Sequence, residues 1–228
     1  MTTSATYNFN PSLGELSLYV FNMIGVRNTA ITQEHMSAFR LAANLALSRW
    51  SAKGVNLWTV DLQTIALVQG VKTYSVPSNT IVMLDAYITQ GSTNPTNRLI
   101  LPISRSEYAS YANPDQQGFP TTFWFDRLLS PYVTLWPVPD GTQTSMSYYR
   151  VRQIQDSVLT DAMTPELPVY FLDAFALECG WRLALSWAPS KVDVIKALAK
   201  EAYDDAVAQN IETAQVYISP MVGGYFRP

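Results

Sequence analysis

Charge is scarce in this chain. Of 228 residues, 15 are basic and 18 acidic, 14% in all, where an ordinary globular domain carries about 25%. Aromatic residues make up 12%. Such a chain is short of polar surface with which to clothe an isolated monomer, and large exposed apolar patches mark contact surfaces. Oligomerisation or burial in an assembly is the first expectation. Cysteine is limited to Cys179 and histidine to His35. That excludes an intrachain disulfide, a zinc cluster, a His-Glu-x-x-His motif and any two-histidine site. Phosphate-cradling glycine loops are missing too, since Gly223-Gly224 is the one glycine pair.

A basic face is also lacking. The net charge is −3 and the pI about 5.1, which argues against holding nucleic acid by neutralising phosphates. Residues 1–55 hold four basic and two acidic side chains, residues 56–152 six of each, and residues 153–228 five basic and ten acidic. The C-terminal part would repel duplex DNA. The longest apolar stretch, residues 169–187, is broken by Asp173, Glu178 and Arg182, which a membrane span tolerates poorly. Met1-Thr2-Thr3-Ser4 places no basic segment ahead of an apolar run, so no signal peptide is expected.

What is present has helical spacing at both ends and short extended runs between. Asn10 is expected to cap a helix that starts at Pro11, carries Leu13, Leu16, Val20 and Ile24 on one face, and ends near Gly25. A longer helix should span residues 32–53, with Met36, Phe39, Ala43, Ala46, Leu47 and Trp50 on its apolar face and Gly54 as the stop. Residues 57–60, 64–67, 72–76, 81–88, 99–103, 122–125, 133–136 and 145–152 then read as strands, rich in β-branched and aromatic residues and separated by turn residues. Ser104 and Glu107 match the capping box of a short helix reaching Tyr111. Residues 165–187 are apolar on nearly every side, which suits a buried helix. Glu178, Arg182 and Ser186 form its thin polar stripe. Ser190 and Asp193 open the last helix, where Val192, Ile195, Ala199, Ala202 and Ala206 make a seam for another helix.

The expected fold class is therefore α+β: a bundle of about four main helices (residues 1–55 with 153–210), a β-rich insertion (56–152) and an extended C-terminal arm (211–228). The arm is too apolar for an ordinary disordered tail. It either packs on its own domain or docks on a partner.

Candidates for chemistry are few. His35, beside Glu34 in the first turn of the second helix, reads as solvated helix surface. Glu166, Asp173 and Glu178 lie among apolar residues, where burial raises a carboxyl pKa, and two carboxylates suffice for glycoside hydrolysis. Any chain of this length offers such pairs, and Glu178 has Arg182 at i+4. A carboxylate-dependent peptidoglycan hydrolase is thus the alternative and not the leading reading. Trp58, Trp124 and Trp136 could stack on single-stranded bases, but core packing or subunit contact explains them with fewer assumptions. No catalytic, cofactor-binding or metal-binding residue is assigned.

Three strings carry a resemblance. Leu47-Ser48-Arg49-Trp50-Ser51-Ala52-Lys53-Gly54-Val55-Asn56-Leu57-Trp58, then Gly118-Phe119-Pro120-Thr121-Thr122-Phe123-Trp124-Phe125-Asp126, then Val133-Thr134-Leu135-Trp136-Pro137-Val138-Pro139 together resemble the head-to-tail adaptor, or connector, proteins of short-tailed phages, the family of the P22-type tail accessory factor. The resemblance runs from about Leu13 to Arg182. It implies a structural protein of the virion's head–tail junction, assembled in the host cytoplasm. It further implies a homo-oligomeric ring, of twelve copies in this family, beneath the portal protein. One face would receive the downstream tail protein, nozzle or hub, and double-stranded DNA would pass through without specific binding. No membrane is involved. Position and composition then place the portal-binding arm at Val216, Tyr217, Ile218, Met221, Tyr225, Phe226 and Arg227, and a subunit or tail interface at Trp58, Trp124, Trp136 and Tyr148.

Overall fold

The computed structural model describes residues 5–54, 56–91, 94–158 and 163–211. They form an α+β fold with five α-helices and a seven-stranded sheet that curls around its own core. Helix α1 (Leu13–Ile24) starts two residues later than its sequence pattern suggests. The cap is Ser12: its hydroxyl accepts from the Glu15 N–H at 3.2 Å, and the Glu15 carboxylate accepts from the Ser12 N–H at 2.8 Å. That reciprocal pair satisfies two orphan amides, which Asn10 ahead of Pro11 would not. Gly25 ends the helix in the left-handed region at φ 99°, where a side chain would be strained.

Helix α2 (Gln33–Ser51) follows Thr32, whose N–H donates to His35 Nδ1 at 3.2 Å. The imidazole thus does the work of the usual third-position glutamate. It is not free helix surface: the ring stacks on Trp187 at 4.9 Å and meets the edge of Phe21 at 5.3 Å. Helix α3 (Arg105–Ala109) has its expected serine cap but stops short of Tyr111. Helix α4 (Leu172–Trp187) begins well inside residues 165–187. Pro165 and Pro168 hold the approach out of the helical region, and a single 3-10 turn (Val169–Phe171) intervenes. Helix α5 (Val192–Gln209) completes the set.

Helix α4 is the hub, with α1, α2 and α5 packed on it. Leu172, Phe175, Leu177, Cys179 and Leu183 are buried, so this helix is apolar nearly all round, as its sequence demands. The helical core gathers Phe21, Phe39, Leu47, Trp50, Phe171 and Phe175 around it. A second, separate cluster fills the sheet.

The strands are β1 (Val60–Ala66), β2 (Thr73–Ser75), β3 (Thr80–Gln90), β4 (Thr96–Pro102), β5 (Gln117–Gly118), β6 (Thr122–Phe125), β7 (Tyr132–Trp136), β8 (Val138–Pro139) and β9 (Gln143–Arg152). The two expected runs at 57–60 and 64–67 merge into β1, preceded by a 3-10 turn (Leu57–Thr59). The large sheet is ordered β1-β9-β3-β4-β6-β7-β2, and β5 and β8 pair apart from it. All its contacts are antiparallel except β4 with β6, whose crossover contains α3. Met83, Ala86, Ile88, Ile100, Phe123, Leu135, Met146 and Tyr148 project from one face into a shared cluster. With most strands burying one face in this common cluster, the sheet curls around it.

Candidate interaction surfaces

The root of the sheet is held together, and tied to the helical part, by a compact set of polar contacts. Arg150, with a side chain only 6% exposed, donates Nε and Nη2 to the two Asp61 oxygens at 2.7 and 3.1 Å, and Nη1 to Asn79 and Thr80 at 2.8 Å each. Arg152, two residues on, makes a two-pronged pair with Glu166, and the same carboxylate accepts the Gln155 N–H at 2.9 Å. Asn44 of α2 and Ser157 exchange two hydrogen bonds, at 3.1 and 2.7 Å. Every guanidinium N–H of Arg150 aimed at a partner finds an oxygen, which a buried arginine requires. Arg150 thus locks β1, β9 and the start of β3 to one another within the sheet, and the joint to the helical part is made by Arg152 with Glu166 and Asn44 with Ser157.

This joint decides the role of Glu166. The Arg152 guanidinium holds its carboxyl below the usual range, outweighing the opposite effect of burial. A general acid needs the reverse shift. Glu178 accepts from Arg182 at 2.8 Å, Arg49 at 3.3 Å and Trp181 Nε1 at 2.9 Å, a set that pins α2 to α4. Asp173 is exposed on the first turn of α4. These three carboxylates thus occupy different surroundings, two of them spanning structural contacts. Among the described residues no group of three or more His, Cys, Asp or Glu is placed to hold a metal, and no helix is long and apolar enough to cross a membrane.

The aromatic residues singled out by sequence fall in three places. Tyr148 is 1% exposed and belongs to the sheet core, so it is removed from the interface set: strand alternation turns it inward beside Met146. Trp58 is half-buried against the helical core, 4.7 Å from Phe171. Trp124 and Trp136 do lie on the outer face, because their neighbours Phe123 and Leu135 point inward. That face is already partly covered by α3 and the turn after it: Tyr108 stacks on Trp124 at 5.6 Å, and Tyr111 on Trp136 at 3.9 Å. Trp136 Nε1 also donates to the Asn113 carbonyl at 3.1 Å. The arm residues Val216, Tyr217, Ile218, Met221, Tyr225, Phe226 and Arg227 lie outside the described residues.

Sequence reasoning missed the surfaces that do stand open. Strand register puts Leu62 opposite Tyr149, and Thr64 opposite Ser147, which faces Tyr87, which faces Leu99. Leu62, Tyr149, Leu99 and Leu101 therefore share the outer face of β1, β9 and β4, and Leu99 and Leu101 are each 59% exposed. Leu41 and Leu45 lie one turn apart on α2, as do Val194 and Leu198 on α5, all exposed. The signal in the sequence was the apolar residue in the polar phase of each repeat, visible only once the other phase was known to be buried.

Exposed apolar faces on both halves of a charge-poor chain define a protein suited to contact with other chains. The comparison with known families gives this class its place. A family model described as SU10 adaptor protein matches residues 27–223, and the chain belongs to that family of phage head-to-tail adaptors. A search of curated proteins finds no match.

Proposed function

We propose that this adaptor assembles as a ring at the head–tail junction of a tailed bacteriophage, extending the portal's DNA channel and presenting the platform on which the tail is attached. The observation that carries the reading is the pair of open apolar faces, one on the helices and one on the sheet, in a chain of an adaptor family. A subunit of a ring needs two flanks that neighbours cover, and a monomer has no use for either. Residues 1–55 with 153–210 form the ring-building part, residues 56–152 a β-rich insertion, and residues 211–228 the arm. Trp124 and Trp136 are the members of the aromatic set offered to a tail or subunit contact. The role is structural, with no reaction assigned.

The arm carries a direct test. Deletion of residues 215–228 is expected to leave a folded protein, by circular dichroism, that no longer retains portal protein in a pull-down. Retention equal to that of the full chain overturns the arm assignment. The hydrolase alternative gives a different result: cell-wall turbidity falls with the intact chain and not with its Glu166→Gln variant. No clearing is expected from either.

A further inference from the structure

The hairpin between β6 and β7 ends in Arg127, Leu128 and Leu129, and Leu129 is 98% exposed. Its shape is set at the stem. Asp126 accepts the Tyr132 N–H on Oδ1 at 2.6 Å and donates its own N–H to the Tyr132 carbonyl at 3.0 Å. Two adjacent leucines are thus held out in water by a closed turn, an arrangement that is unfavourable unless another surface receives them.

A surface of matching character lies on the helices. Phe9, Leu16, Tyr19, Leu172 and Ala176 wall a concave site of about 380 Å³ along α1 and α4. An apolar cavity of about 150 Å³ accepts a benzene molecule, so this site has room for two leucine side chains. Asp173 also lines it, and its side chain makes no ion pair or hydrogen bond among the described residues; the same holds for the side chain of Arg127. One side therefore offers two leucines beside an unpaired cation, and the other an apolar hollow beside an unpaired anion. With Leu129 almost wholly exposed, the chain does not fill its own hollow.

We infer that Leu128 and Leu129 of one copy seat in the Phe9, Tyr19 and Leu172 hollow of the next copy, with Arg127 paired to that copy's Asp173. Knob and hollow are different surfaces, so the contact is head-to-tail, the kind that builds a ring when its rotation closes. It rests on the ring reading above and supplies its subunit contact.

Two single-cysteine exchanges test it, Leu129→Cys on one full-length chain and Tyr19→Cys on another, co-assembled into phage particles. Cys179 is fully buried and does not compete. Mild oxidation is expected to give a covalent dimer of the two variants, at least about tenfold above a Leu129→Cys and Asn28→Cys pair, Asn28 being exposed and outside both proposed contacts, tenfold matching about 1.4 kcal/mol of preference. Arg127→Asp alone and Asp173→Arg alone are each expected to lower the yield of assembled copies, with the two together in one chain restoring it. Particles that incorporate the chain normally but give no dimer above control, or a conjugate of Leu129→Cys with portal, overturn the inference while the adaptor reading stands. Particles that never incorporate the unaltered chain overturn the adaptor reading itself.

Discussion

Arg150 is the residue on which the charge-poor half of the molecule turns. Its guanidinium meets Asp61 on β1 and the adjacent Asn79 and Thr80 at the start of β3, and removing it strands a carboxylate and two polar groups together. Arg150→Met is expected to lower unfolding free energy by about 2–4 kcal/mol, measured by urea denaturation. The neighbouring carboxyls give the protein an acid limit. Arg150 holds the Asp61 carboxyl below its ordinary 3.8, and Arg152 holds that of Glu166 below its ordinary 4.5. Carboxyls depressed in the fold contribute stability that is fully present above those ordinary values and is lost as pH falls through the depressed ones. Thermal midpoints should therefore drop steeply below about pH 4.5, and Glu166→Gln should shallow that drop while lowering stability at pH 7. An equal drop in both proteins contradicts the assignment. Cys179 sits at the opposite extreme: full burial pushes its thiol far up, so a thiol reagent should label it only after denaturation.

At the scale of elements, Gly180 marks where α4 comes close to both α1 and α5. A Cβ there would come within 2.5 Å of the tip of Met23 on α1 and 3.4 Å of Ile195 on α5. The Met23 methyl can swing aside, and alanine favours a helix over glycine by about 1 kcal/mol. Gly180→Ala should change stability by less than about 1 kcal/mol, whereas Gly180→Leu should cost about 1–3 kcal/mol by forcing the helices apart, a contrast that calorimetry resolves. Helix identity was legible in the sequence wherever an apolar stripe repeated, as along Phe39, Ala43, Ala46 and Trp50. Helix ends were less so. Ser12 with Glu15 is a capping box that the sequence displays openly, masked by the more familiar Asn10-Pro11. His35 was misread because an imidazole in the third helical position substitutes for glutamate without resembling it, and Trp187, its stacking partner, lies far along the chain. The two-residue strands β5 and β8, and the parallel contact of β4 with β6, arise from pairing between distant segments. No local period encodes them.

The whole molecule returns to its shortage of charge. The candidate contact surfaces were legible as a surplus of apolar residues but not as positions, since Tyr148 is core while Leu99 and Leu101 are surface, and only strand register separates them. A wall that passes DNA should carry no continuous ring of Lys and Arg, because such rings would grip each phosphate and slow transit. Ejection slowed by adding lysines to channel-facing positions is the expected result once those positions are mapped in the assembly. The central claim, that copies of this chain close into a ring on the portal, is tested most directly by the mass of the complex formed on mixing the purified chain with portal protein. A single stoichiometric species carrying a full ring of copies is expected, whether the free chain is monomeric or not. A mass equal to portal alone, or to portal with a scatter of copy numbers, contradicts it.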